Sequence, residues 1–333
     1  MAPAKLSPAY PASTAGVVMA IGGAEAKVGE RTVLSTFVRF SGGADARIAV
    51  VPTASSLGPE VIEVYRAVFT RLGAGEVFAV RPETRADADD PAIAAKLDDA
   101  TGVFLTGGNQ LKLSAVVAGT RFGDALHSAH RRGVVVGGTS AGASILSSHM
   151  VAFGSGGATP KQRMSQLAAG LGLIDGCVID QHFAQRNRYG RLLSLIAQSP
   201  SLLGIGVDED TAAVIHPDGV LEVVGRGSVT VLDGHQVVSN AHEAKRTAPL
   251  LVSGAIVHVL PAGSCLSIPD RTLVHRPGEP DAAEVEQIEE ASADLRQLAE
   301  DIAADGVSPT YLTRRRKRRT TEREHRMVAR EDS

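Results

Sequence analysis

Three times in the first half of the chain an apolar, strand-forming run stops at a pair of glycines. Val17–Ile21 runs into Gly22-Gly23, Gly102–Thr106 into Gly107-Gly108, and Val134–Val136 into Gly137-Gly138. Two further runs of the same kind are Arg47–Val51, ending at Pro52-Thr53-Ala54-Ser55, and Glu76–Val80. Between them lie segments of helical spacing: Arg31–Phe40, Pro59–Leu72, Pro91–Leu97, Leu111–Ala118 and Phe122–Arg131. Pro59–Leu72 carries Val61, Ile62, Tyr65, Val68, Phe69 and Leu72 along one stripe, and Gly73 caps it. Strands with little polar alternation, separated by helices, predict an α/β domain of three layers. Its mostly parallel sheet would have helices on both faces, a flavodoxin-like arrangement. Ligands of such sheets bind outside the carboxyl ends of the strands. Each of these three glycine pairs follows a strand, so the backbone-exposing turns gather on that edge.

The second half reads differently. Met150–Leu173 is glycine-rich and polar, and is expected to be a long loop with the character of a lid. Cys177–Asp180 is strand-like and Asn187–Ala197 helical. After Gly204 come short strands, Thr211–Ile215, Val220–Val224, Ser228–Leu232 and Leu250–Leu260, with hairpin turns at Asp218-Gly219 and Asp233-Gly234. They are expected to form an antiparallel hairpin extension of the same domain. The domain organisation expected is a disordered lead-in (1–15), a catalytic α/β domain (16–278), a C-terminal helix (281–304) and a basic tail (305–333). In the helix pattern Val285, Ile288, Leu295, Leu298 and Ile302 share a stripe, which suits pairing with a second copy, and a homodimer is expected. The run Arg314–Arg319 reads as a solvated tail, with polyanion binding as the lesser alternative.

Composition narrows the function classes. A formal net charge of -3 gives the chain as a whole no polyanion-binding character. Cys177 and Cys265 are its only two cysteines, too few for a disulfide scaffold, so a cytoplasmic protein is expected. No apolar run approaches the ~18 residues of a membrane span. No His/Cys/Asp cluster has ligand spacing, so no metal and no cofactor is expected.

The chemistry centres on Gly138-Thr139-Ser140-Ala141-Gly142, which fits the G-x-S-x-G nucleophile elbow after a buried strand. The tight turn needs the glycines and lifts the Ser140 hydroxyl toward a substrate carbonyl. A serine needs a base, and the base an orienter. His182 is the best of ten histidines, because it ends a strand beside Asp180, Gln181, Arg186, Arg188 and Arg191. Asp208, Glu209 and Asp210 follow the next apolar strand, and any of the three could orient the histidine. The amides of Gly108 and Ala141 could form an oxyanion hole, and Gln110 could point its amide into the site. Guanidinium groups at Arg186, Arg188 and Arg191 suit carboxylate recognition.

Four motifs together carry a family resemblance: G-G-N-Q at 107–110, G-T-S-A-G-A at 138–143, D-Q-H-F-x-x-R-x-R-x-G-R at 180–191 and G-I-G-V-D-E-D-T-A at 204–212. The chain resembles the serine peptidase family of the cyanophycinases, which also contains aspartyl dipeptidases. The resemblance covers roughly residues 16–275. It implies a class I glutamine-amidotransferase-like fold, with Ser140 as nucleophile, His182 as base and Glu209 as orienter. It further implies that Gln110, Asp180, Gln181, Arg186, Arg188 and Arg191 line the substrate pocket. The implied reaction is exolytic release of β-Asp-Arg from cyanophycin, a poly-aspartate with arginine on each side-chain carboxyl. The alternative is an aspartyl or isoaspartyl dipeptidase with the same triad. From a different class, a non-catalytic ligand-binding module would use the same fold. The order Ser…His…Glu already departs from the Ser…Asp/Glu…His order of α/β-hydrolases.

Overall fold

A computed structural model describes residues 15–277. The lead-in up to residue 14, the helix pattern over 281–304 and the basic tail lie outside the described residues. Five parallel strands form the heart of the fold. They are β1 (Val18–Ile21), β2 (Arg47–Val51), β3 (Glu76–Ala79), β4 (Gly102–Leu105) and β5 (Val135–Thr139). Their order in the sheet is β1-β5-β4-β2-β3, and every neighbouring pair is parallel. Helices α1 (Thr32–Phe40) and α2 (Glu60–Arg71) cover one face, burying Leu34, Phe37, Tyr65 and Phe69 against Met19, Ile21, Ile48 and Phe104. Strand alternation sends Val18, Ala20, Val103 and Leu105 to the other face.

That second face is covered in two ways. The segment after β3 makes two short helices, α3 (Arg85–Asp89) and α4 (Pro91–Ala94). The sequence pattern had merged the end of this segment into Pro91–Leu97, and α3 starts earlier because Thr84 and Asp87 close a capping box. With α5 (Gln110–Val117) and α6 (Arg121–Arg131) they bury Leu97, Leu113, Val117, Phe122 and Leu126. The rest of the face meets a second sheet.

The chain enters that sheet after β5 and the single turn α7 (Ala141–Ser144). Its strands β6 (Ser147–Gly154), β7 (Ser165–Ala169), β8 (Ile174–Gln181) and β9 (Leu203–Val207) precede a return to the first sheet. There β10 (Thr211–Ile215) lies antiparallel to β1, and β11 (Val220–Gly225) follows it outward. Strand β12 (Ser228–Asp233) goes back to the second sheet beside β9. The second sheet runs from the strand Ile256–Pro261 through β12, β9, β8 and β6 to β7. Only β6/β8 and β8/β9 are parallel in it. Helix α8 (Tyr189–Gln198) covers its outer face, packing Leu192, Leu195 and Ile196 on Val151, Val178 and Leu232. Ile179, Ile205, Val207, Val229 and Val231 face inward and join the core of the first sheet.

Two expectations change here. Met150–Leu173 carries a hairpin, β6 against β7, and is irregular over 155–164 and 170–173. Leu250–Leu260 is not one strand: the pairing that reaches the sheet begins at Ile256. Described helices do lie on both faces of the first sheet, as expected of a flavodoxin-like α/β domain. The hairpin extension, however, divides between two sheets. No helix among the described residues is long and apolar enough to cross a membrane.

Candidate active site

Ser140 stands at the carboxyl end of β5 with φ 53° and ψ -111°, a region that residues with a Cβ populate sparsely. Its surroundings hold it there. The Ser140 amide donates to the Ile21 carbonyl at 2.9 Å, which ties the turn to the end of β1. A Cβ on Gly138 would overlap the Gly142 carbonyl, and one on Gly142 the Leu105 carbonyl, so neither position has room for a side chain. Helix α7 has only four residues, so anion stabilisation at the turn rests on individual amides and not on a helix dipole. The amides of Gly108 and Ala141 donate to no carbonyl among the described residues. The Gly107-Gly108 turn adjoins the serine, since a Cβ on Gly107 would lie 3.4 Å from Ser140 Cβ.

His182 follows β8 and also has positive φ, 46°. Its amide donates to the Gly22 carbonyl at 2.8 Å, across from the second sheet to the end of β1. The Ser140 hydroxyl lies 3.0 Å from His182 Nε2, and Glu209 Oε1 lies 2.6 Å from Nδ1. An ionised Glu209 only accepts, so Nδ1 carries the proton and Nε2 is left to accept from the serine. Burial pulls the His182 pKa below its ordinary value of 6.5, and the Arg186 and Arg188 charges add to this. The hydrogen bond and charge of Glu209 oppose the shift.

The three carboxylates of the acidic triplet separate clearly. Asp208 accepts from the Ala184 amide at 3.0 Å and from the Ser228 amide and hydroxyl at 3.1 and 2.9 Å. Asp210 accepts from the Ala26 amide at 2.7 Å. Only Glu209 faces the imidazole, and its own amide donates to Gln185 Oε1 at 3.0 Å.

The arginines divide too. Asp180 is fully buried, and Arg191 and Arg188 are 5 % and 8 % exposed. Arg191 Nε donates to Asp180 Oδ2 at 2.6 Å and its Nη2 to Oδ1; Arg188 Nη1 reaches Oδ1 at 3.3 Å. Arg191 also donates to the Gly154 carbonyl at 2.8 Å, and Arg188 to that of Gln181. These two guanidinium groups are thus engaged with the protein, where the sequence expectation had them in the pocket beside Arg186. Arg186 is exposed and forms no ion pair with a described residue. The tip of the β6/β7 hairpin holds the backbone that follows Arg186: Gly157 donates to the Asn187 carbonyl at 2.6 Å, and Gly190 donates to the Gly157 carbonyl at 2.8 Å. Gln181 Oε1 is 3.5 Å from the Ser140 hydroxyl. The Gln110 amide group is spent on the Val151 and Ala152 carbonyls at 3.0 and 3.1 Å, which leaves only its oxygen for a ligand.

Residues 18–223 match the family model for Peptidase family S51. The chain belongs to peptidase family S51. It is a serine-type peptidase. The chain is 40% identical over 263 residues to a cyanophycinase of Synechococcus elongatus, covering 78% of this chain and 82% of that one. A cyanophycinase of Trichormus variabilis is 39% identical over 271 residues, 80% of this chain and 91% of the relative. A crystal structure of a peptidase from an acI-B1 Actinobacterium shares the fold, with TM-score 0.53 at 23% identity over 73% of this chain and 97% of that one.

Within this S51 peptidase the Asp180 cluster yields a stability prediction. Removing one partner of a buried charge cluster typically costs about 3–5 kcal/mol. Asp180→Asn is therefore expected to lower unfolding free energy by that order, read by urea denaturation. A small loss would show that the two arginines find other partners.

Two neighbours of the site escaped the sequence reading. Gly23 packs against the imidazole, and Glu25 lies buried behind Thr139. The signal for the first was present, since Gly22-Gly23 ends a strand on the functional edge. The signal for the second was one acidic residue in an otherwise small-residue turn.

Proposed function

We propose that this chain is a cyanophycinase-like serine exopeptidase, which cuts the aspartate backbone of cyanophycin and releases β-Asp-Arg. The observation that carries the reading is the line Ser140–His182–Glu209, with steps of 3.0 and 2.6 Å, and beside it Arg186, which forms no ion pair with a described residue. Similarity to relatives named cyanophycinase supplies the substrate class. Nε2 of His182 takes the Ser140 proton as the hydroxyl attacks the backbone carbonyl. The Gly108 and Ala141 amides receive the oxyanion. The imidazolium, held by Glu209, then protonates the leaving amine, and water, activated by the same nitrogen, releases the acyl-enzyme. The pocket would be completed by Gln110, Gln181 and Arg186, framed by Asp180, Arg188 and Arg191. The test is mass spectrometry of soluble product from insoluble cyanophycin, set against a panel of aspartyl and isoaspartyl dipeptides. Clarification of the polymer without β-Asp-Arg would count against the reading.

The dipeptidase alternative keeps its place on one observation. Three free arginines would favour a repeating polyacid over a single dipeptide, and two of the three are locked on Asp180. The same proposal places the protein in the cytoplasm, working as a homodimer without nucleic acid; sedimentation of the full chain tests the dimer.

Arg186→Ala is expected to raise KM for the polymer more than it lowers kcat. It also removes a positive charge that helps keep His182 below 6.5. A base works when neutral, so the acid limb of the wild-type kcat/KM profile should lie below that value, and the variant's limb should move upward. An unmoved limb would separate Arg186 from the histidine.

A further inference from the structure

One of the buried carboxylates that the mechanism leaves unused lies behind the nucleophile's turn. Glu25 is 3 % exposed in the turn between β1 and α1. Its Oε2 accepts the Thr139 hydroxyl at 2.6 Å. Its Oε1 accepts the Tyr65 hydroxyl at 2.5 Å and the Lys27 ammonium at 3.1 Å. Thr139 is the residue before Ser140. Tyr65 is fixed in the core, its ring 4.8 Å from that of Phe104 and 5.8 Å from that of Phe69. The nucleophile's turn and the aromatic cluster of the core therefore share one carboxylate, from its two oxygens.

The same turn reaches the other two reacting side chains. Gly22 accepts the His182 amide at 2.8 Å. Gly23, with φ 99°, leaves no room for a Cβ, because one would overlap the imidazole. The Gly23 carbonyl accepts the Asp210 amide at 2.9 Å, beside Glu209, and the Ala26 amide donates to the Asp210 carboxylate. One segment, Gly22–Lys27, thus touches the neighbourhood of serine, histidine and glutamate and supplies no reacting atom. A buried carboxylate is an expensive way to fill space, and an apolar side chain would pack as well. What the carboxylate adds is direction.

We propose that Glu25 is a positioning residue, which holds Thr139 and through it the strained Ser140 at proton-transfer distance from His182. This rests on the triad as read above. Small misplacements far from the reacting atoms can cost about 10²-fold in rate. Glu25→Ala should lower kcat by that order with KM little changed. Glu25→Gln keeps an oxygen for Thr139 and should restore most of the loss. Thr139→Val removes only the hydroxyl on the nucleophile side, and should lower kcat in the same direction. Tyr65→Phe removes a hydroxyl from the same carboxylate on the core side. With Oε2 still on Thr139 and Oε1 still on Lys27, it should cost comparable stability while leaving kcat nearly unchanged.

The measurements are kcat and KM on cyanophycin, the rate of Ser140 labelling by a fluorophosphonate, and the urea midpoint of each variant. Slowed labelling in Glu25→Ala and Thr139→Val, but not in Tyr65→Phe, supports the assignment. If Glu25→Ala does not fold, Thr139→Val against Tyr65→Phe decides it alone. Labelling that is unchanged in Thr139→Val, or that falls equally in Tyr65→Phe in step with stability, overturns it. The labelling needs no polymer, so a wild-type protein that labels but releases no β-Asp-Arg sinks the substrate reading alone.

Discussion

Ser140→Ala is expected to abolish release of β-Asp-Arg, with a fall in kcat on the order of 10⁶, the scale seen when a triad serine is removed. The hydroxyl is the only group on this turn aimed at His182 Nε2, so no neighbour can replace it. Binding should persist, because Arg186 and the free amides are untouched; cosedimentation with insoluble polymer reads this separately. The backbone supplies a second arm. Ser140 holds φ 53°, and strain of that kind costs of order 1–3 kcal/mol in a residue with a Cβ. Alanine keeps that cost and glycine removes most of it. Ser140→Gly should therefore be equally inactive but more stable than Ser140→Ala. An equal or lower urea midpoint for the glycine variant would show that the turn is relaxed for a side chain.

Glu209→Gln comes second, with an expected loss in kcat of about 10⁴ and little change in KM. The amide is the same size, but it can present an N–H to Nδ1. That selects the tautomer with the proton on Nε2, which cannot accept from Ser140. The effect is electronic and not structural, so the denaturation midpoint should hardly move. Asp208→Asn is the natural comparison. Asp208 accepts three hydrogen bonds that join the segments around Ala184 and Ser228, and its loss should appear in stability before turnover. If Asp208→Asn lost the greater turnover, the assignment of Glu209 as orienter would be wrong.

The parallel sheet was legible because its strands, the edge strand β3 excepted, are buried on both faces. Ile48–Val51 has no polar alternation to confuse the pattern, and each run ends at a glycine or proline turn. The second sheet was legible only in part: Cys177–Asp180 and Ser228–Leu232 read as strands, but not as members of a separate sheet. Strand β6 carries exposed Phe153 and ends in Gly154, so Ser147–Gly154 shows no clean period, and its partner β8 begins twenty residues later at Ile174. Pairing of that kind leaves no local mark. Ser140 and His182 were found because turn chemistry and polar company are local signals. The choice among Asp208, Glu209 and Asp210 depends on which way each side chain points from a short turn. The pairing within the Asp180 cluster was not legible for a similar reason: Arg188 and Arg191 at i, i+3 share a direction, but sequence does not say whether substrate or Asp180 waits there.

The placement of the reacting groups has a consequence for synthesis. The serine ends a strand of the first sheet, while histidine and glutamate end strands of the second. A growing chain that has made β1 to β5 already displays its nucleophile at residue 140, some forty residues before its base exists. Such an intermediate holds a hydroxyl of ordinary reactivity. Cleaving power requires both sheets to close on each other, because the base and its orienter reach Ser140 from the ends of second-sheet strands.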